Sequence, residues 1–236
     1  MRLDRYLTAS RSGSRSEVKN YIRKGIVQVN GCVCQDPSLH IDTDDEVCLN
    51  GQIIIYRQHV YYMLNKPAGC VSATEDTHDK TVIDLFPEEL RKGLFPVGRL
   101  DKDSVGLLII TDDGDMAHRL MSPKNHVDKR YLIRTDEPLT KDDVQTFADG
   151  MTLSDKTKLK SAGLEISQTD PTEAIVTISE GKYHQVKRMT EHCGKKVVFL
   201  KRLSVGSLLL DPDLAEGEYR ELSDEEIKKL TREVNQ

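Results

Sequence analysis

The sequence predicts an α+β fold in two parts, a small N-terminal module and a larger domain with a mainly antiparallel mixed sheet flanked by helices. The first part combines short amphipathic helices with short strands that end in Asn-Gly turns, whereas the second has longer strands and helices. Strands and helices do not alternate regularly enough for a doubly wound parallel sheet. We place the two domains at residues 1–56 and 60–236.

The N-terminal module has clear helix and turn signals. The spacing of Leu3 and Leu7 predicts a first short helix. Ser14 precedes Glu17 by three residues, the spacing of a capping box, and Gly25 is expected to end this second helix. "IVQVNG" and "DEVCLNG" then predict strands followed by tight turns.

The larger domain contains predicted strands and helices in an irregular order. "YYML", "VGLLIIT", "KRYLIRT" and "TEAIVTISE" are typical of strands, and "VGLLIIT" is apolar enough to be buried on both faces. Helices are expected for "MAHRLMS", for "TKDDVQTFADG", which a threonine caps and Gly150 ends, and for "YHQVKRMTEHCG".

Composition favours a cytoplasmic protein with no membrane segment. Hydrophobic residues make up 37% of the 236 residues, and no apolar run approaches the roughly 20 residues that span a bilayer. The N-terminus has no apolar signal segment. The five cysteines are odd in number and scattered, as expected of reduced thiols.

The net charge of −5 hides two basic regions. Residues 1–30 contain seven Lys and Arg against two acids, and residues 182–202 contain seven against one. Two such regions on an acidic background indicate a localised footprint for a polyanion. The candidate RNA-binding residues lie on or next to the first two predicted helices: Arg5, Arg15, Lys19, Arg23 and Lys24.

Several chemistries have no motif in this sequence. It contains neither a phosphate-binding G-x-x-x-x-G-K-[ST] loop, nor G-x-G-x-x-G, nor H-E-x-x-H. The acids between Asp101 and Asp115 do not predict a metal site, because a strand of about seven residues separates them into two groups. We therefore predict no metal and no cofactor.

Four segments carry a family resemblance: "NKPAGCVS", "GRLDKDSVGLLIITDDGD", "KRYLIR" and "EGKYHQVKRM". Together they resemble the RsuA family of pseudouridine synthases, which isomerise uridine in bacterial ribosomal RNA. "RLDRYL" and "SRSEVKNYIRKGIVQVNG" resemble the alpha-L, or S4-like, RNA-binding domain. The resemblance implies cleavage of the C1′–N1 bond, rotation of the uracil and formation of a C1′–C5 bond, without a cofactor.

The resemblance also assigns roles to residues. It implies that Asp101 is the catalytic aspartate, and it leaves open whether this carboxylate attacks C1′ or removes a ribose proton. Arg99 matches the arginine that fills the space left by the extruded uridine. Tyr131 matches the active-site tyrosine. Lys187 matches the basic partner of the aspartate, although many relatives have arginine there, and Arg188 is a weaker candidate.

The expected partner is 16S ribosomal RNA of the small subunit, or its assembly intermediate, bound by a monomer. Three alternatives stay open at this point. The same reaction could act on large-subunit RNA, the protein could be a non-catalytic RNA-binding assembly factor, or Asp101 could serve a hydrolase that removes the base.

Overall fold

The computed structural model describes residues 1–10, 12–42, 44–54, 59–122 and 125–233. The chain divides into two compact units, Met1–His59 and Val60–Gln236. The predicted end of the first domain at residue 56 lies outside the described residues. None of the helices in the described ranges combines the length and the apolar character that a membrane span requires.

The helices are α1 (Leu3–Ala9), α2 (Arg15–Arg23), α3 (Glu88–Arg91), α4 (Gly114–Met121), α5 (Lys141–Asp149), α6 (Gln185–His192) and α7 (Asp224–Glu233), with a 3-10 turn at Ile83–Leu85. The strands are β1 (Val27–Val29), β2 (Cys32–Val33), β3 (Val47–Leu49), β4 (Gln52–Ile53), β5 (Tyr61–Lys66), β6 (Phe95–Val97), β7 (Val105–Thr111), β8 (Lys129–Thr135), β9 (Met151–Thr152), β10 (Lys158–Leu159), β11 (Gly163–Ile166), β12 (Glu173–Ile178), β13 (Val197–Val205), β14 (Leu208–Leu209) and β15 (Tyr219–Glu221).

The N-terminal unit packs α1 and α2 with an antiparallel sheet of order β2-β1-β3-β4. Ser14 caps α2 as predicted, because its Oγ accepts from the backbone N–H of Glu17, whose carboxylate accepts from the backbone of Ser14. Leu3, Leu7 and Ile22 are fully buried in the core of this unit. The opposite faces of the helices are therefore left to polar and charged side chains.

The larger unit is built on a sheet of order β11-β12-β8-β13-β7-β5-β15, with β14 added to β13 and β6 to β7. Its pairings are antiparallel except for a short parallel contact between β13 and β7. Every residue of β7 is buried, whereas β8 alternates, with Lys129, Tyr131 and Ile133 facing the interior. The predicted α+β fold with a mainly antiparallel mixed sheet is confirmed.

The parallel contact between β7 and β13 depends on a glycine. Gly106 has φ +101°, and a Cβ built there would lie 2.3 Å from the backbone oxygen of Arg202 and 2.8 Å from its nitrogen. A side chain at this position would therefore force the two strands apart. The close approach brings the loop before β7 beside the middle of β13.

Some elements of the fold differ from the sequence expectations. Helix α6 begins at Gln185 rather than at Tyr183, because His184 has the left-handed conformation (φ 49°, ψ 32°) and a helix cannot run through it. The sequence patterns predict no strand or helix where the structure has β13 and α7. The predicted α5 is confirmed, with Thr140 as its cap and Gly150 at its end.

Candidate active site

A pocket of about 820 Å³ opens in the larger unit. All four residues to which the resemblance gave active-site roles line it, namely Arg99, Asp101, Tyr131 and Lys187. They come from three separate elements: the loop before β7 supplies the first two, β8 supplies the tyrosine, and α6 supplies the lysine. The structure thus brings together residues that are up to 88 positions apart in the sequence.

Hydrogen bonds from the end of β5 and the segment after it hold the backbone of the loop that carries Asp101. Buried Lys66 donates through Nζ to the backbone oxygen of Ser104 at 2.8 Å, and the N–H of Gly69 donates to the oxygen of Lys102 at 2.8 Å. The Ser72 hydroxyl donates to the oxygen of Leu100 and accepts from its N–H. Residues of the "NKPAGCVS" segment therefore fix the backbone on both sides of Asp101, which holds its side chain in one place.

The carboxylate of Asp101 has two basic neighbours from the start of α6. Lys187 Nζ lies 3.0 Å from Oδ2, and His184 Nε2 lies 3.2 Å from Oδ1. The Asp101 side chain is 28% exposed, so it is shielded from bulk water but still open to a substrate in the pocket. Lys187 and His184 therefore contact both oxygens of the carboxylate and fix its orientation.

Lys187 is shared between two carboxylates. Its Nζ also donates to Asp103, at 2.7 and 3.0 Å from the two oxygens. Burial lowers the pKa of Lys187, but the hydrogen bonds and charges of Asp103 and Asp101 outweigh burial and leave the pKa above its ordinary value. The bond from Lys187 in turn lowers the pKa of the Asp103 carboxyl group. Lys187 is therefore a charged residue held between two acids.

The neighbouring Arg188 points elsewhere. Its guanidinium forms an ion pair with Asp155, as expected for a helix position about 100° around from Lys187. Arg99 has no hydrogen bond or ion pair within the described residues, and Asp103, a possible salt-bridge partner for it by sequence, is bound by Lys187 instead. Arg99 is thus a cation at the pocket wall that is available to a ligand.

Tyr131 lies on the pocket-facing side of β8 and is 6% exposed. Its direct partners across the sheet are Arg202 on β13 and Val176 on β12. The ring is therefore held between two neighbouring strands, and the pairing with Arg202 continues the face that forms the base of the pocket. A rigid aromatic side chain in this position can pack against a planar base.

Three residues of the site were not predicted from the sequence. His184 lies inside the "EGKYHQV" segment, but its contact with Asp101 depends on its left-handed backbone, which the sequence pattern does not reveal. Its ring also stacks on that of Tyr183, at 3.8 Å between centroids. Lys129 and Arg202 line the pocket and are 6% and 2% exposed, although a basic side chain gives no sequence signal of burial.

Cations of the N-terminal unit have the opposite environment. The five candidate RNA-binding side chains are exposed, and none has an ion pair within the described residues. They are Arg5, Arg15, Lys19, Arg23 and Lys24. Within the same described ranges, no group of three or more His, Cys, Asp and Glu side chains is arranged to hold a metal ion.

Comparison with known proteins accounts for both units. The RNA pseudouridylate synthase family matches residues 60–192, and the S4 domain matches residues 1–47. The chain belongs to the RNA pseudouridylate synthase family. It is an isomerase of the pseudouridine synthase type with an S4 domain, and the resemblance to the RsuA family is confirmed.

Relatives of this pseudouridine synthase match over nearly the whole chain. It is 47% identical to an uncharacterized RNA pseudouridine synthase, YtzG, of Bacillus subtilis, over 98% of each chain. It is 40% identical to ribosomal small subunit pseudouridine synthase A of Escherichia coli, over 98% of this chain and 100% of that one. A crystal structure of a pseudouridylate synthase with 39% identity matches with a TM-score of 0.70 over 98% of this chain and 99% of the other.

Proposed function

We propose that this enzyme isomerises one uridine of small-subunit ribosomal RNA and that Asp101 is its catalytic residue. One observation carries the assignment of Asp101. Among the acids that line the pocket, Asp79 pairs with Lys102, and Glu180 is buried and accepts a hydrogen bond from Gln185. Asp101, by contrast, lies beside Lys187 and His184, and its carboxylate is still accessible from the pocket. The site thus offers one oriented, accessible carboxylate to a ribose.

The reaction needs no other nucleophile from the protein. Asp101 acts on the ribose, the C1′–N1 bond breaks, and its electron pair leaves with the uracil as an anion. The uracil turns, C5 bonds to C1′, and the hydrogen at C5 is lost to solvent while N1 gains a proton. Lys187 keeps Asp101 in position throughout, because its ammonium group contacts the carboxylate at 3.0 Å.

Arg99 and Tyr131 accommodate the extrusion of the target nucleotide in this proposal. A uridine in folded RNA has to leave its stack before its ribose reaches Asp101. The unpaired guanidinium of Arg99 fills the space that the nucleotide leaves, and the buried ring of Tyr131 packs against the uracil. Neither role asks these side chains to give up an existing ion pair.

The S4 domain supplies affinity for RNA in this proposal. Its five exposed, unpaired cations can each neutralise a phosphate without first breaking a salt bridge within the described residues. The choice of small-subunit RNA rests on the relatives named ribosomal small subunit pseudouridine synthase A, which match this chain at about 40% identity over full length. Mapping pseudouridines in the ribosomal RNA of a deletion strain tests it. Loss of a large-subunit pseudouridine instead would contradict it.

Asp101→Asn tests the catalytic assignment. The amide has nearly the same shape but can act neither as a base nor as a nucleophile, so we expect the single-turnover rate to fall by more than about 10³-fold with little change in RNA affinity. Tritium release from RNA labelled at uridine C5 measures the rate.

Asp103→Asn is the matched control, because Asp103 shares Lys187 but is 75% exposed on its side chain. We expect it to retain most activity. Substantial activity in Asp101→Asn, or equal loss in both variants, would contradict the assignment.

A further inference from the structure

Two buried cations form the base of the pocket. Lys129 on β8 is 6% exposed and Arg202 on β13 is 2% exposed, and both line the cavity. Lys129 donates one of its three N–H groups to the backbone oxygen of Val127. Arg202 donates through Nε to the backbone oxygen of Leu107. No further hydrogen bond is made by either side chain within the described residues, and Nη2 of Arg202 is buried without a partner.

The strand register places both cations around Tyr131. Arg202 is the direct partner of Tyr131 across β13 and β8, and Lys129 is two residues before Tyr131 on β8. Side chains two residues apart on a strand face the same way. The ring of Tyr131 is thus bordered by two cationic groups on the surface where a packed uracil would lie.

These cations lack the counter-charges that their neighbours have. Lys187, Lys102 and Lys182 each form an ion pair with a carboxylate. Lys129 and Arg202 form none within the described residues. Burial and, to a smaller extent, the positive charge of Arg202 lower the pKa of Lys129 to about 8, against a still smaller opposing effect of Asp128. Buried charge without a partner is unfavourable, so the free site is poised for an anion.

We propose that Lys129 and Arg202 bind the carbonyl oxygens of the uracil anion formed when the C1′–N1 bond breaks. The inference rests on the proposed function and adds two residues to it. The electron pair left on N1 is delocalised onto O2 and, through the C5–C6 double bond, onto O4. These oxygens carry little charge in the bound uridine and gain it as the bond breaks. Donors fixed in a dry site favour that charged state over the ground state.

The base fits this location better than a phosphate does. A phosphodiester carries its full charge before the reaction and belongs to a backbone that continues on both sides, so it suits exposed cations. Lys129 and Arg202 are buried beside Tyr131, so only a compact group that enters the pocket can reach them. A flat base turned out of its stack has that shape. The remaining N–H donors of the two side chains match its two carbonyl oxygens.

The test compares two substrates in the same variant. In Lys129→Met we expect the single-turnover rate on uridine RNA to fall by about 10²-fold, with RNA affinity unchanged. Replacing the target by 5-fluorouridine makes the departing base a more stable anion, which needs less help from the protein. The rate of loss of the N1-linked nucleotide should then fall clearly less than on uridine. Lys129→Arg and Arg202→Lys, which keep a cation, should be intermediate.

Each other outcome is decisive. Equal losses on both substrates would show that Lys129 only supports the fold, and an unchanged rate on uridine would show that it contacts nothing that gains charge. A neutral methylphosphonate at the phosphate next to the target tests the phosphate alternative. If that linkage slows the wild-type enzyme as much as Lys129→Met does, and the two effects do not add, the cations bind phosphate. If Asp101→Asn is inactive, any of these results would overturn this inference and leave the proposed function intact.

Discussion

The basic residues of the two units are arranged in opposite ways. In the N-terminal unit the candidate RNA-binding cations are exposed and have no ion pair within the described residues. In the larger unit three of the cations that line the pocket are largely withdrawn from water: Lys187 lies between Asp101 and Asp103, and Lys129 and Arg202 are buried. The first arrangement suits a ligand that arrives with many charges, and the second suits charges that are held or created at one point.

The difference implies that binding and turnover respond to different substitutions. Exposed cations attract RNA phosphates over a long range, and salt screens this attraction. Cations inside a pocket act at short range in a medium of low polarity, where salt has little access. If the two units divide the work in this way, a substitution in one should leave the property of the other nearly intact.

After Asp101, a large effect on turnover is expected at Lys187. Lys187→Met removes the cation at 3.0 Å from Asp101 and leaves two carboxylates facing each other, so the single-turnover rate should fall by about 10²-fold with little change in RNA affinity. Lys187→Arg should retain much of the activity. Arg188→Ala is the adjacent control, because Arg188 pairs with Asp155. A larger loss of rate in Arg188→Ala than in Lys187→Met would assign the role to Arg188.

Lys129 should affect stability as well as turnover. Its pKa is about 8 in the folded protein against an ordinary 10.5, so the unfolded chain binds more protons between these pH values. Stability therefore rises with pH through this window, and the unfavourable contribution is complete below about pH 8. Lys129→Met should raise the free energy of unfolding at pH 7 by up to about 3 kcal/mol.

Urea unfolding at several pH values checks this prediction. The advantage of Lys129→Met over the wild type should shrink as the pH is raised from 8 to 10, because the wild-type lysine then loses its charge in the folded state. A difference that does not change with pH would mean that packing, rather than the buried charge, separates the two proteins.

The smallest effect is expected at the N-terminal helix α2. Arg15→Ala with Lys19→Ala should weaken RNA binding several-fold and reduce the slope of log affinity against log salt by about one for each lost phosphate contact. The rate at saturating enzyme should not change. Lys228→Ala with Lys229→Ala on α7 is a matched control, since these lysines are also exposed. Equal effects of the two pairs would show that net charge alone is responsible.

Features set by local sequence were predictable. The capping boxes at Ser14 and Thr140 and the end of α5 at Gly150 depend on residues within a few positions of each other, and all three are present. The buried strand "VGLLIIT" was predictable for the same reason, because its burial follows from its own composition. The shared position of Arg99, Asp101, Tyr131 and Lys187 was reachable only through the family resemblance.

Features set by distant contacts were not predictable from the patterns. Strand β13 contains Lys201, Arg202 and Ser204, which hide its period-two alternation, and it becomes a strand by pairing with β8 and β7. The many acidic residues of α7 hide the apolar stripe of the amphipathic helix that buries Leu230. His184 reaches Asp101 only through a left-handed backbone, which few residues other than glycine adopt.

The place of β13 in the sheet also has a consequence for folding kinetics. Along the path of the large sheet, β13 is the strand that links β11-β12-β8 to β7-β5-β15. Tyr131 and Lys129 belong to the first set, and Asp101 precedes the second, so neither set holds a working constellation alone. Closing the sheet requires a late strand to insert between two earlier ones, which are contacts of large sequence separation and form slowly. If Asp101 and Tyr131 act together as proposed, a chain in which β13 has not yet paired with both β7 and β8 should be inactive.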